Sequence, residues 1–429
     1  MNEEKLPKGW KNFKIGELSD QVNGKAFKPT DWSTSGVPII RIQNLNNHKA
    51  DFNYSTKEIE EKYHVKNGDL LFAWSGTPGT SFGAHIWERG FAYLNQHIFN
   101  IKITSDKIDK RFYYYAFKIA VEKFINQAQG TAGLAHITKG KFENTEIPVP
   151  PIPEQQRIVA RLDAVFGHLD RVREKLDRIP ELLKNFRQQV LTQAVTGELT
   201  RDGDTMPEWV ELNSLVENSF YGPRFSKDSY TPDGIPTVRT TDMTEKGELI
   251  VTNETPRVKV EEKKLESFRV KKGDLLITRT GSIGKMAIYN GVEPVIPSAY
   301  LIRFRFNQKV ITRFVFYCLT SPYGQKVMGL NSTAITQPNL NAEKIKSIKI
   351  PLYNLESQKE ILKKIDEMFL FADKIESQYQ SLKAKIDQMP QAILAKAFRG
   401  ELVAQEVKEY VREIGELGMV AEGNIELKN

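Results

Sequence analysis

The chain repeats itself. Val65-Lys66-Asn67-Gly68-Asp69-Leu70-Leu71 returns as Val270-Lys271-Lys272-Gly273-Asp274-Leu275-Leu276, and Gly36-Val37-Pro38-Ile39-Ile40-Arg41 returns as Gly234-Ile235-Pro236-Thr237-Val238-Arg239. Arg111-Phe112 with Tyr115 matches Arg313-Phe314 with Tyr317, and Gly197-Glu198-Leu199 matches Gly400-Glu401-Leu402. The order is kept while the offset drifts between 198 and 205 residues, as loop insertions would make it do. A period of about 200 residues is too long for a solenoid unit and fits a duplicated domain with its connector. Whatever one copy builds, the chain must build twice.

Each copy has two textures. The first part is rich in turns and short apolar runs: Asn67-Gly68 and Lys272-Gly273 read as turns that open strands, and Phe112 to Phe124 and 314–328 read as helices. The second part is a heptad seam. Ile158, Leu162, Val165, Leu169, Val172, Leu176, Ile179, Leu183, Phe186 and Val190 alternate spacings of 4 and 3. Ile361, Ile365, Met368, Ala372, Ile375, Tyr379, Leu382, Ile386, Met389 and Ile393 repeat the series 203 residues on. Pro148, Pro150, Pro151 and Pro153 precede the first seam and Pro351 the second; Pro180 and Pro390, inside the seams, are expected to kink or split their helices. The expected class is α+β: two similar globular domains separated by two long helices that form an antiparallel coiled coil. The expected domains are 1–150, a central helical spacer 151–199, a second domain 200–351, a C-terminal helical spacer 352–402 and an acidic tail 403–429. Residues 158–179 would span roughly 33 Å, close to the roughly 34 Å of one turn of B-DNA.

Charge narrows the partner. The net charge is +7, but residues 403–429 carry −3, which leaves +10 on the rest. A basic body suggests a polyanion. No apolar run approaches the roughly 20 residues of a membrane span. The charged start has no secretion-signal pattern, and Cys318 is the sole cysteine, so no intrachain disulfide forms. Both point to a cytoplasmic protein.

Signals for catalysis are sparse. Pro232-Asp233 with Glu261-Glu262-Lys263 superficially fits a nuclease pattern, although Pro232-Asp233-Gly234 reads better as a turn. Gly281-Ser282-Ile283-Gly284-Lys285 lacks phosphate-loop spacing. The histidines at 48, 64, 85, 97, 136 and 168 show no zinc-ligand spacing. There is no Asn-Pro-Pro-Tyr/Phe tetrad and no glycine-rich nucleoside-binding turn. The expectation is therefore a binder with no catalytic, metal or cofactor site of its own. The alternatives are a pure scaffold without DNA contact and a self-sufficient nuclease.

Candidates for DNA contact lie in duplicated polar loops. Residues 257–285 are basic, with a net charge of +5, and suit phosphates. Base reading needs polar side chains on a rigid frame. Trp74, Ser75 and Thr77 follow the Leu70-Leu71 strand, and Arg279, Thr280, Ser282 and Lys285 follow its counterpart. A second loop offers Thr138 and Lys139 in one copy and Thr336, Gln337 and Asn339 in the other. Arg41, Gln43 and Asn44, and Arg239, Thr240 and Thr241, follow the shared Gly-x-Pro strand.

These motifs resemble the specificity subunits of type I restriction–modification enzymes. The resemblance rests on Leu6-Pro7-Lys8-Gly9-Trp10, echoed by Met206-Pro207-Glu208-Trp209, on the Gly-Asp-Leu-Leu strands, and above all on Ile147-Pro148-Val149-Pro150-Pro151-Ile152-Pro153-Glu154-Gln155-Gln156-Arg157-Ile158 leading to Thr196-Gly197-Glu198-Leu199. It covers roughly residues 1–402; the junction at 348–360 is a looser match. It implies two target-recognition domains that each read half of a bipartite, asymmetric site in double-stranded DNA. It further implies docking of methylation subunits, two in number, and then of restriction subunits. Adenine-N6 methylation with S-adenosylmethionine, and the use of ATP and Mg²⁺, would belong to those partners.

Overall fold

A computed structural model describes residues 6–77, 80–127, 135–200, 207–280, 282–330 and 340–403. It divides into two compact units, one of residues 1–175 with 382–429 and one of residues 176–381. The cuts fall inside the helical spacers and not at the ends read from the sequence.

In the first unit the central antiparallel sheet has the order Ser19–Asn23, Ile98–Ile103, Leu70–Ala73, Gly83–Ile86. Leu70 and Phe72 face a core built with helix Lys110–Gln127, whereas Leu71 and Ala73 face a smaller core with Ile40, Val65 and Trp87. A strand covered on both faces has no place for a polar residue, which explains its unbroken apolar run. A second sheet, Asn53–Ser55, Val37–Ile40, Ala92–Leu94, His64–Val65, covers the other side. Lys11–Lys14 pairs with Glu146–Val149 and joins the start of the domain to its end.

The second unit repeats this plan. Val216–Tyr221, Leu301–Phe306, Leu275–Thr278 and Met286–Ile288 form its central sheet. Tyr221 faces Ile302 in the register at which Asn23 faces Phe99, 203 residues earlier. Leu275 and Ile277 enter one core and Leu276 the other. Arg257–Val258, Tyr230–Val238 and Ile296–Pro297 form the second sheet, and Glu208–Glu211 pairs with Lys349–Leu352.

The shared Lys-x-Gly-Asp motif is a turn. Gly68 and Gly273 take φ of 84° and 89°, which favours glycine, and the Asp69 and Asp274 carboxylates accept from the backbone N of Lys66 and Lys271 at 3.0 and 2.8 Å. Gly197 and Gly400, at φ of 81° and 74°, follow the ends of helices Ile179–Thr196 and Leu355–Phe398, so the shared Gly-Glu-Leu is a helix stop.

Each globular part is pinned to a long helix by one buried glutamine. Gln155 donates to the carbonyls of Lys107 and Pro150, both at 2.8 Å, and accepts from Asp109 N at 2.8 Å. Gln358 does the same with Lys309 (3.0 Å), Tyr353 (2.7 Å) and Ile311 N (2.8 Å). Arg111 with Asp163, and Arg313 with Asp366, add a second duplicated tie.

The heptads pair antiparallel within each unit. In the first, Ile158 and Leu162 share a core with Leu394, Ala397 and Phe398, while Arg173 meets Asp387 at 3.5 Å. In the second, Arg187 meets Asp373 and Glu376 at 2.8 Å, and Lys364 reaches the carbonyl of Leu199. The two seam prolines behave differently. The first seam splits into Ile152–Leu176 and Ile179–Thr196, with Pro180 in the first turn of the second helix, where no N–H is needed. Leu355–Phe398 continues through Pro390. A proline there leaves the carbonyl four residues back without its helical donor. That carbonyl, of Ile386, accepts from Arg173 Nη2 at 3.3 Å.

Candidate nucleic-acid interface

In each unit the loop after the central strand and the loop after the Gly-x-Pro strand leave the same end of the two sheets. In the first, Trp74 stacks on Phe99 at 5.7 Å and donates from Nε1 to Asn23 Oδ1 at 2.9 Å. His97 and His136 meet its edges at 5.1 and 4.8 Å. Burial holds the His97 imidazole below its ordinary pKa, with His136 adding repulsion. Ser75 pairs with His136 across a short ladder, so the loop after Trp74 and the loop before Lys139 are joined. Thr77 is exposed, and its carbonyl accepts from the backbone of Thr80, Ser81 and Phe82. Thr138 and Lys139 are exposed at the start of helix Lys139–Glu143, with Lys139 3.6 Å from Glu143.

Arg41 lies over the Trp32 ring at 5.5 Å and donates to Asn53 at 3.3 Å; Gln43 is exposed. Asn44 is buried. Its side chain accepts from Arg41 N and donates to the carbonyls of Ala50 and Asp51, so it shapes the loop and has no polar atom to offer a base.

In the second unit Arg279 stands where the first has Trp74. Its guanidinium lies 4.9 Å from the Tyr221 ring centroid. Thr280 and Ser282 are exposed, and Lys285 pairs with Glu245 at 2.9 Å. Arg239 and Thr241 are exposed and Thr240 half-buried, at a turn closed by Asp242, which accepts from Arg239 N at 2.6 Å. Thr336, Gln337 and Asn339 lie outside the described residues. In the basic stretch Lys259, Lys263, Lys271 and Lys272 are exposed, whereas Arg257 is spent on the carbonyl of Gly234 and Arg269 on Glu266. Asp233, Glu261 and Lys263 are all exposed, on a strand, a helix cap and a helix respectively.

Sequence reading missed the residues that tie these loops together. Thr278 is buried, and its hydroxyl contacts the carbonyls of Ser282 and Lys285 and accepts from Lys285 N. The segment 95–97 bridges the two sheets: Asn95 N donates to Ile40 O and Trp74 N to His97 O. Its counterpart is 298–300, where Ser298 N donates to Val238 O and Arg279 N to Tyr300 O. Tyr300 is 57% exposed beside Arg279. The common offset of 203 residues was the available signal.

Among the described residues no group of three or more His, Cys, Asp or Glu is placed to hold a metal ion, and no helix is long and apolar enough to cross a membrane. Cys318 is fully buried, which pushes its thiol pKa up and keeps it from acting as a nucleophile.

The model of the type I restriction–modification DNA specificity domain matches residues 7–181 and again 207–384. The chain belongs to that family. It is 31% identical over 419 residues to the EcoBI specificity subunit of Escherichia coli, covering 92% of this chain and 87% of that one. It is 26% identical to the StySPI specificity subunit of Salmonella potsdam, over 94% and 92% of the two chains. Among solved structures, the HsdS subunit of Thermoanaerobacter tengcongensis superposes with a TM-score of 0.60 at 19% identity, covering 93% of this chain and 99% of that one. A chain from a structural study of complex assembly and conformational transition in the type I system reaches 0.70 at 19%, over 92% and 99%. The role is that of a type I specificity subunit, a non-catalytic one: it recognises the DNA target and works with methylation and restriction subunits.

Proposed function

We propose that each unit reads one half of a bipartite, asymmetric site in double-stranded DNA, with Trp74, Ser75, Thr77, Thr138 and Lys139 facing one half and Arg239, Thr241, Arg279, Thr280 and Ser282 the other. One observation carries this reading. The paired central strands Leu70–Ala73 with Ile98–Ile103 and Leu275–Thr278 with Leu301–Phe306 share one register, yet the loop position that follows holds Trp74 in one unit and Arg279 in the other. A shared frame with exchanged tips is what two readers of different sequences require. Thr336, Gln337 and Asn339 belong to the second reader on sequence grounds. The heptad helices set the gap and, with their flanks, dock two methylation subunits. S-adenosylmethionine, ATP and Mg²⁺ serve the methylation and restriction subunits, in the cytoplasm.

The test is selection of duplexes from a random pool by the chain assembled with its methylation subunits. Two short blocks with a fixed gap are expected. A heptad added to 158–179, matched in the facing stretch of the second long helix, should change that gap. A contiguous consensus, or binding that ignores salt, sinks the two-reader reading.

A further inference from the structure

The last residue of the first central strand is the same structural position in both units: Asn23 and Tyr221. Each is followed by a glycine that must be glycine. A Cβ on Gly24 would lie 2.0 Å from the carbonyl oxygen of Asn95, and one on Gly222 would lie 2.0 Å from that of Ser298. Gly24 N donates to Ile98 O and Gly222 N to Leu301 O, both at 3.0 Å. The strand end is thus clamped flush against the segment that bridges the two sheets, which fixes where its side chain leaves the backbone.

That side chain meets the loop tip. Asn23 accepts from Trp74 Nε1 at 2.9 Å, while the Tyr221 ring lies under Arg279 at 4.9 Å. Tyr221 does more. Its hydroxyl accepts from Ala342 N at 2.9 Å, at the first turn of helix Ala342–Lys346, where the chain re-enters after residues 331–339. That bond ties the far end of the ring to the body of the second unit while its face carries Arg279. An arginine reads a guanine with a planar fork, so its use depends on the plane in which the fork is held. A free arginine side chain has many rotamers to lose, and a ring beneath it removes part of that cost before DNA arrives.

We infer that Tyr221 is a positioning residue for base selection in the second unit, orienting Arg279 through its ring, and that Asn23 has the corresponding role for Trp74. This rests on the two-reader assignment.

The experiment uses the full chain assembled with its methylation subunits and scores base preference at every position of both half-sites by selection from a randomised duplex. Tyr221→Leu should lower discrimination about tenfold at one or two adjacent base pairs of one half-site and leave the other half-site unchanged, which also certifies that the assembly is folded. Tyr221→Phe keeps the ring, so it should keep selection at those base pairs. Asn23→Ala should relax the opposite half. Arg279→Ala separates the failures. If it relaxes selection and Tyr221→Leu does not, the positioning role is wrong and the DNA assignment stands. If neither variant alters base preference, or if Tyr221→Leu only weakens binding uniformly, the proposal is overturned; in the first of those cases Arg279 also ceases to be a reader.

Discussion

Asp69 and Asp274 occupy the same place in a duplicated motif, yet replacing them should have unequal costs. Asp274 is 2% exposed and holds two arginines: Arg305 donates to both carboxylate oxygens at 2.8 and 2.7 Å, and Arg303 Nε lies 3.6 Å away. Arg303 is itself 4% exposed, and burial pushes its pKa down to about 10. Asp274→Ala strands those cations, which costs roughly 3–5 kcal/mol for a broken buried pair, and loses the turn bond from Lys271 N, roughly 1 kcal/mol more. At the first position the partners are Asn100, at 3.3 Å, and Lys102, 45% exposed at 3.6 Å. An exposed pair is worth roughly 0.2–1 kcal/mol, so with its turn bond Asp69→Ala should cost about 2 kcal/mol at most. The expected difference is roughly 2–4 kcal/mol between the same substitution made in the two copies. Native-state hydrogen exchange of strands Ile98–Ile103 and Leu301–Phe306 reads the two units separately within one chain. Equal losses, or a larger loss in the first unit, would refute the assignment of Asp274 as the anchor of the buried Arg303 and the half-buried Arg305.

Gln155→Leu and Gln358→Leu should each destabilise their unit by roughly 2–4 kcal/mol in urea unfolding, because two carbonyls and one N–H lose their partner together; Glu at either position should not rescue, since a carboxylate cannot donate. Burial lowers the His85 pKa from its usual 6.5 to about 4, with Lys118 adding repulsion. The folded state therefore favours neutral imidazole and unfolding takes up a proton. The contribution is full above pH 6.5 and falls away between pH 6.5 and 4, by roughly 3 kcal/mol. His85→Phe should flatten that part of the first unit's pH profile, and an unchanged slope would show that the ring is not neutralised by burial. Arg279→Ala should weaken discrimination at one base pair by roughly 1–3 kcal/mol, whereas Lys272→Ala should lower affinity evenly and reduce the salt slope by about 1.

What the sequence disclosed followed from how local its cause was. The heptads repeat at short range and each seam is unbroken over ten positions, which shows that the long helices pair; the antiparallel sense follows from two such helices in one chain each leading away from its own domain. The two prolines looked alike in the sequence and behave differently, because the partner that rescues the Ile386 carbonyl, Arg173, lies 213 residues away. Asn44 looked like a reader for its residue type; only the closed turn at Ala50 and Asp51 shows that its amide is consumed. Tyr221, Thr278 and the segment 95–97 escaped notice because strand ends carry no loop-like composition, and pairing in the sheet, not adjacency, brings them to the tips. The offset of 203 relates 95–97 to 298–300 as it relates the motifs, and their strand partners mark the pair as equivalent.

The division of the chain also sets an order of construction. The second unit is continuous from 176 to 381, so all its parts are in hand once residue 381 has been synthesised. The first is interrupted: Leu394, Ala397 and Phe398 complete its core, and Phe398 packs on Phe112 at 5.0 Å. Ribosomes usually let the earlier part of a chain finish first. Here the earlier part must wait for about 220 further residues, roughly 10–40 s at ordinary elongation rates. During that interval Phe112, Ile158 and Leu162 lack their cover. The nascent first unit is therefore the stage at which this protein most needs a chaperone, and truncation anywhere in 382–398 should injure the half of the molecule made first.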